Sequence, residues 1–209
     1  NVALKAASGN ATTTERFLVG DLLFPLLLES NNTVADRIAE YYGSVRFVEW
    51  MNVTAKAFGM QATAFADPSG VSAENISTPD DLFRLLRYLA DRKSFVLSMT
   101  KNSEKEISAK SGAVFRVKNV NDPVFRSPFS GGKAGQTNAA GETMAAVVSL
   151  SVNEEPRRVA VVVLKSTDRV ADTVALSEWV AKTAREGART ENAACVLCAE
   201  APEYRKIEP

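Results

Sequence analysis

Ser30 and Asn32 stand two residues apart in a short polar step, Ser30-Asn31-Asn32, between two stretches with apolar periodicity. On an interhelical turn, side chains at that spacing aim into one cleft, the serine as a proton shuttle and the asparagine as an amide clamp on a substrate carbonyl. The same residue types also cap helices. A second constellation is Gly131-Gly132-Lys133-Ala134-Gly135-Gln136-Thr137-Asn138-Ala139-Ala140-Gly141. Glycines around a lysine let backbone approach a ligand while the ammonium meets a carboxylate or an oxyanion; a glycine-rich hairpin reads the same way. The run is not a phosphate-binding loop, because the lysine is followed by Ala and leads into strands, where that motif needs Gly-Lys-Ser/Thr opening a helix.

Composition narrows the chemistry. The 209 residues include no histidine, which removes Ser-His-Asp triads, Cys-His dyads, His-ligated zinc and histidine bases. Proton transfer then falls to Lys, Asp, Glu, Tyr or a thiol. Lys plus Arg equals Asp plus Glu at 25 each, so the total charge offers no footprint for nucleic acid or an anionic membrane. A 45% hydrophobic and 24% charged chain is of ordinary globular type. Cys195 and Cys198 form a Cys-x-x-Cys near the C-terminus; without other Cys or His this is no zinc site, and it is read as an incidental pair rather than a redox couple or an intermolecular metal clamp. The longest wholly apolar runs, such as 159–164, fall short of the ~18 residues of a membrane helix. The first residues lack both a charged leader region and Met, so the chain is expected to be part of something longer.

The elements that must position these residues follow from periodicity. Residues 1–16 are expected to be extended or loop. Asp21 is expected to cap an apolar helix running through Leu28, and Ala35, Ile38, Ala39 and Tyr42 mark a second helix closed by Gly43. Val48, Met51, Ala55 and Phe58 mark a third, which stops at Gly59. Thr78 as N-cap, Pro79 at the first helical position and Asp81 three residues after the cap open a fourth, with Leu82, Leu85, Leu86 and Leu89 inward. The runs 94–100 and 113–118 read as strands. The Val-rich runs 142–152 and 157–164 read as an antiparallel hairpin with a four-residue loop, the second run a central strand covered on both faces. Residues 168–186 read as a helix with Val174, Leu176, Trp179 and Val180 inward.

Taken in order, Ser30-x-Asn32, Met51-Asn52-x-x-Ala55-x-x-x-Gly59-Met60, Thr63-x-Phe65-x-x-Pro68-x-Gly70, Ser77-Thr78-x-Asp80-Asp81-Leu82 and Lys133-x-Gly135-x-Thr137-Asn138-Ala139-Ala140-Gly141 resemble the serine-type D-alanyl-D-alanine carboxypeptidases, the low-molecular-mass penicillin-binding proteins of peptidase family S11. The resemblance runs from about Phe17 to Trp179. It implies an α/β (α+β) fold of the penicillin-binding transpeptidase and β-lactamase type, an antiparallel sheet with helices on both faces plus an α-rich lobe. Residues 17–186 would be the C-terminal part of that domain, 1–16 an extended segment and 187–209 a peripheral tail.

The motif set S-x-x-K, S-D-N and K-T-G marks such proteins. By resemblance, Ser30 takes the proton-relay role, Asn32 positions substrate, Lys133 orients the substrate carboxylate, and Ala134, Gly135 and Thr137 line the groove. The implied substrate is a peptidoglycan stem peptide ending in D-Ala-D-Ala, hydrolysed through a serine acyl-enzyme without a cofactor or metal, outside the cytoplasmic membrane, with β-lactams as covalent inhibitors of the complete enzyme. Three departures stand out. No S-x-x-K precedes Ser30, Ala134 replaces the hydroxyl residue between Lys and Gly, and Thr33 replaces an Asp. The literal Ser98-Met99-Thr100-Lys101 follows Ser30 and sits in a strand-like run, so it is set aside as the nucleophile. The isolated chain is therefore expected to be inactive, the S-x-x-K segment coming from a separate N-terminal piece; the alternative is a non-catalytic homologue that binds muropeptide or has a structural role. No Glu-x-x-Leu-Asn segment of the class A β-lactamases is present.

Overall fold

A computed structural model of the chain describes residues 2–8, 11–121, 129–152 and 155–187. The Cys195-x-x-Cys198 pair lies outside them. In the segment 1–16, expected to be extended or loop, the described residues form two paired strands, β1 (Val2–Ser8) and β2 (Ala11–Phe17), in which Val2 pairs with Phe17. Then come α1 (Val19–Leu28), α2 (Asn32–Tyr42) and α3 (Ser44–Ala57). Asp21 is not the cap of α1. The N-cap is Leu18, and Asp21 lies in the first turn, where its charge suits the helix dipole. Gly43, at φ 89°, closes α2 and opens α3 with almost no linker.

Thr78 caps α4 (Pro79–Arg92), its Oγ1 accepting the Asp81 N–H at 3.3 Å. The run 94–100 is not a strand. Ser94–Met99 is a helix, α5, and Leu97 from it is buried against the sheet. A second hairpin follows, β3 (Glu104–Ser108) with β4 (Val114–Lys118). The lobe's core joins Val2 and Phe17 of the first hairpin, Leu22 and Leu28 of α1, Val34 and Ile38 of α2, and Ile107 and Val117 of the second hairpin.

The main sheet holds β5 (Phe129–Thr137), β6 (Gly141–Val152) and β7 (Glu155–Ser166), antiparallel in the order β5-β6-β7. Strands β6 and β7 pair to Val152–Glu155, so the connection is two residues shorter than the expected four. Strand β7 is covered on both faces as its apolar run implies, but among the described residues β6 is the central strand and β7 lies at the edge. On one face Ala134, Met144, Ala146, Val148, Val161 and Val163 pack under α6 (Arg169–Gly187); on the other, Ala145, Val147, Ala160 and Val162 meet Leu86 and Leu89 of α4 and Leu97 of α5.

The inward face of α6 also departs from expectation. Leu176 and Trp179 are exposed, and the buried stripe is Val170, Thr173, Val174 and Ser177. Those two hydroxyls are tolerated in a core because each returns its proton to its own helix, Thr173 Oγ1 to the Arg169 carbonyl at 2.6 Å and Ser177 Oγ to that of Thr173 at 2.7 Å. Among the described residues no helix is long and apolar enough to cross a membrane, and no group of acidic, Cys or His side chains is placed to hold a metal ion.

Candidate active site

The junction of α1 and α2 is built by local chemistry. Asn31 is the N-cap of α2, its Oδ1 accepting the Val34 N–H at 3.2 Å, and Ser30 takes the tight step between the helices at φ 55°, left-handed backbone that non-glycine residues seldom adopt. Asn32 opens α2 and is exposed. The asparagine that caps is thus the one between the two expected site residues, which leaves Ser30 and Asn32 off capping duty.

Lys133 reaches this junction from β5 of the main sheet. Its Nζ donates to Ser30 Oγ at 2.8 Å, joining residues 103 apart in sequence, and donates also to the Ala134 carbonyl. Burial disfavours the ammonium, and the like charge of Arg169 adds to this, lowering the lysine to about 8. Arg169 is itself held by Glu142, with Nη1 to Oε1 at 3.6 Å and its backbone N–H to Oε2 at 3.0 Å. A lysine in that range can exchange its proton close to neutral pH, and the serine hydroxyl it bonds can carry a proton onward.

The other expected residues sit on the same strand with different surroundings. Ala134 belongs to the core under α6, so its side chain packs rather than lines the groove, and its backbone N–H goes to Asn121 Oδ1 at 2.7 Å. At Gly135 a β-carbon would stand 2.8 Å from Thr143 Oγ1 across the ladder, so a larger residue there would require the Thr143 hydroxyl to shift. Thr137 ends β5, its Oγ1 accepting the Ala140 N–H at 3.0 Å. Gly131 and Gly132 do not cradle a ligand. A β-carbon on the first would collide with the Leu97 backbone of α5, and one on the second would lie 2.5 Å from the Ala145 carbonyl, so both serve to bring α5 and β6 close to β5.

Sequence reasoning missed Thr100 and Asn121, which hold β5 in place. Both are buried. Thr100 Oγ1 accepts the Gly132 N–H at 2.9 Å, while Asn121 accepts from Ala134 and donates through Nδ2 to the Leu27 carbonyl at 3.1 Å. Because N–H groups alternate in direction along an antiparallel strand, these contacts show that 132, 134 and therefore Gln136 point away from β6. Beyond Ala134 the outward backbone groups of β5 thus face away from the rest of the sheet.

Ser98 lies at the end of α5 rather than in a strand. It remains ill-suited as a nucleophile, because it is exposed, donates to the Ser94 carbonyl at 3.0 Å, and Lys101 follows the helix C-cap. A second literal Ser-x-x-Lys, Ser130 to Lys133, lies in extended β5 at the register shift between Phe129 and Gly131, not on a helix that would make i and i+3 neighbours, and Ser130 Oγ bonds Ser149 Oγ at 2.6 Å.

The chain is 31% identical over 169 residues to a D-alanyl-D-alanine endopeptidase of Escherichia coli, covering 77% of this chain and 53% of that protein. It thus spans about half the length of that relative. A solved D-alanyl-D-alanine carboxypeptidase of Mycobacterium tuberculosis superposes with a TM-score of 0.66 at 23% identity, over 86% of this chain and 74% of the other. Penicillin-binding protein D2 of Listeria monocytogenes, in its cefotaxime-bound form, does so with 0.64 at 22%, over 88% and 76%. At those identities the structural likeness establishes a penicillin-binding protein fold. Residues 4–168 match the peptidase S11 family model for D-alanyl-D-alanine carboxypeptidases, and the chain belongs to that family.

Proposed function

We propose that this chain supplies the relay and substrate-orienting half of a serine peptidase that cuts the bond following a D-Ala residue in peptidoglycan stem peptides, outside the cytoplasmic membrane. One observation carries the reading: the 2.8 Å hydrogen bond from Lys133 Nζ to Ser30 Oγ, which joins the helical lobe to the sheet edge in one groove. An incoming peptide adds as a strand along β5 beyond Ala134, and Lys133 attracts its terminal carboxylate. The attacking hydroxyl belongs to an S-x-x-K segment that the 209 residues do not contain in usable form. Its oxygen bonds to the D-Ala carbonyl carbon, the C–N bond breaks, and the proton that left the hydroxyl reaches the leaving amine through Ser30; water then hydrolyses the ester. β-Lactams would occupy the same groove and acylate the same serine; the Listeria protein is solved in a cefotaxime-bound form.

Both carboxypeptidase and endopeptidase action fit a groove open along the strand, and the E. coli relative is named for the second. Ala134 favours a second reading, a homologue that binds muropeptide without cutting it, since no hydroxyl stands between Lys133 and Gly135. Intact-mass spectrometry of the purified protein before and after excess penicillin separates these. The expected result is an adduct on a separate polypeptide carrying S-x-x-K and none on this chain. An adduct on this chain overturns the assignment, and no adduct anywhere together with tight D-Ala-D-Ala peptide binding establishes the binding homologue.

A further inference from the structure

The corner between α2 and α3 carries apolar surface that the lobe leaves uncovered. Helix α2 ends at Tyr42 and α3 begins at Ser44, so Gly43, at φ 89°, turns the chain within a single residue. At this turn Tyr41 is 56% exposed, Tyr42 42%, Val45 76%, Trp50 48% and Val53 63%. Trp50 and Val53 share one face of α3 at i and i+3, and of its 14 residues α3 buries only Ala55. The rings form one cluster: centroids are 5.0 Å apart for Tyr41 and Tyr42, 6.2 Å for Tyr42 and Trp50, and 6.3 Å for Tyr42 and Phe47. The Arg46 guanidinium lies over the indole at 5.6 Å.

Three features select what meets this surface. Each of the three exposed rings has a polar tip, and the Tyr41 and Tyr42 hydroxyls and the Trp50 indole N–H meet no partner among the described residues. Side chains of that kind suit a boundary with hydrocarbon on one side and water on the other. Charge is balanced, since from Tyr41 to Val53 the charged residues are Arg46 and Glu49, one of each sign. A partner held by charge therefore has little to grip. The area is small as well. Three rings about half exposed present about 300 Å², against the ~1,000 Å² that each copy covers in an obligate dimer, whereas seating in lipid has no threshold area and strengthens with each apolar group buried.

We infer that the α2–α3 corner seats this protein on the surface of a lipid bilayer, with the Tyr41, Tyr42 and Trp50 rings at headgroup level and Val45, the most exposed of the five, reaching the acyl boundary. The inference is independent of the stem-peptide reading. Seating leaves the groove open, because α2, 11 residues long, carries the corner about 16 Å from Ser30. With one acid offsetting one base, the attraction comes from burial of rings and valines, so it needs neither anionic lipid nor low salt.

The test is partitioning of the 209-residue chain onto unilamellar vesicles of phosphatidylcholine alone, followed through Trp50 in a Trp179→Phe background, since the chain has two tryptophans. Trp50 emission is expected to shift to the blue and to be quenched by lipids brominated near the headgroup. The partition coefficient is expected to change by less than about twofold between low and high salt. Val45→Asp, which the first turn of α3 accommodates because an acid there suits the helix dipole, is expected to lower partitioning at least about tenfold with the melting temperature unchanged. Tyr41→Ser is expected to lower it in the same direction. Trp50 emission that vesicles leave unaltered overturns the inference, and so does a Val45→Asp variant that partitions like wild type. Binding that requires phosphatidylglycerol and disappears at high salt overturns it too, by placing the contact on a charged surface elsewhere. Dimerisation of the lipid-free chain that Val45→Asp abolishes assigns the corner to a second copy and equally overturns the lipid reading.

Discussion

Lys133 is the residue on which the site turns, and its position makes opposite demands on its proton. Burial and Arg169 lower it to about 8, while its contact with Ser30 Oγ is made as a donor. Below that value the ammonium persists and attracts a peptide carboxylate; above it the charge is lost. Affinity for a D-Ala-D-Ala peptide is therefore expected to fall as pH rises through about 8, whereas a peptide amide at the same terminus shows no such fall. Titrating binding from pH 6 to 10 for the two peptides checks this. Lys133→Ala removes the charge and the bond to Ser30 together, and a hydrogen bond to a charged group is worth about 1.5–3 kcal/mol, or roughly 10–100-fold in affinity. Lys133→Arg is not expected to rescue it, because a planar guanidinium cannot meet one hydroxyl as a compact ammonium does. Equal affinity of wild type and Lys133→Ala would remove this residue from the site.

At the scale of elements, local signals and long-range packing divide the outcome. The start of α4 was legible, since a Thr78 cap, Pro79 and Asp81 act within one turn. Ser30 and Lys133 were legible as members of ordered motifs, but their meeting was not, because nothing local links residues 103 apart. Helix α5 was misread since Phe95, Val96 and Leu97 look strand-like, and only the glycine-lined approach of β5 allows Leu97 to be buried as part of a helix. The exposed Trp179 shows the same limit, for the hydroxyls of Thr173 and Ser177 occupy the face that apolar counting assigned to it. Gly132→Ala tests the packing of β5: its β-carbon would meet neighbouring backbone, and overpacking of that kind typically costs about 1–3 kcal/mol, readable as a lowered denaturant midpoint. The loop between α3 and α4 has its own device. Burial pushes the Asp67 carboxyl up, but hydrogen bonds from the Ser72 N–H, Asn75 amide, Gly70 N–H and Ser69 hydroxyl outweigh it and hold the group at about 2. Its unfolded value is 3.8, so its contribution to stability is complete above pH 3.8 and is lost as pH falls through about 2. Asp67→Asn is expected to be less stable than wild type at pH 7, with the gap closing between pH 4 and 2. A gap independent of pH would show that the loop gains nothing from the carboxylate.

For the whole molecule the question is what keeps a helical lobe and a sheet in register to within one hydrogen bond. Their apolar cores are separate, one formed by the hairpins with α1 and α2 and the others on the two faces of the sheet, so packing within each does not by itself fix the groove between them. The fixing is polar. Asn121 reaches Leu27 at the end of α1 with its amide nitrogen and Ala134 of β5 with its oxygen, and Thr100 holds Gly132 two residues earlier. These ties lie on either side of Lys133, so a shift of β5 that moved Lys133 away from Ser30 would have to break at least one of them. Asn121→Ala leaves the buried Ala134 N–H and the half-buried Leu27 carbonyl without this partner, which costs about 1–3 kcal/mol and lowers the melting temperature by about 2–4 °C per kcal/mol in a chain of this size. A purely structural role ends there. A positioning role requires more: peptide affinity in Asn121→Ala should drop even well below the melting temperature, and a further Lys133→Ala change should then cost less than it does in wild type. The same double-mutant cycle with Thr100→Val should show coupling of the same sign. Additive losses in both cycles would mean that the two lobes hold their register without these ties and that the groove is shaped by packing alone.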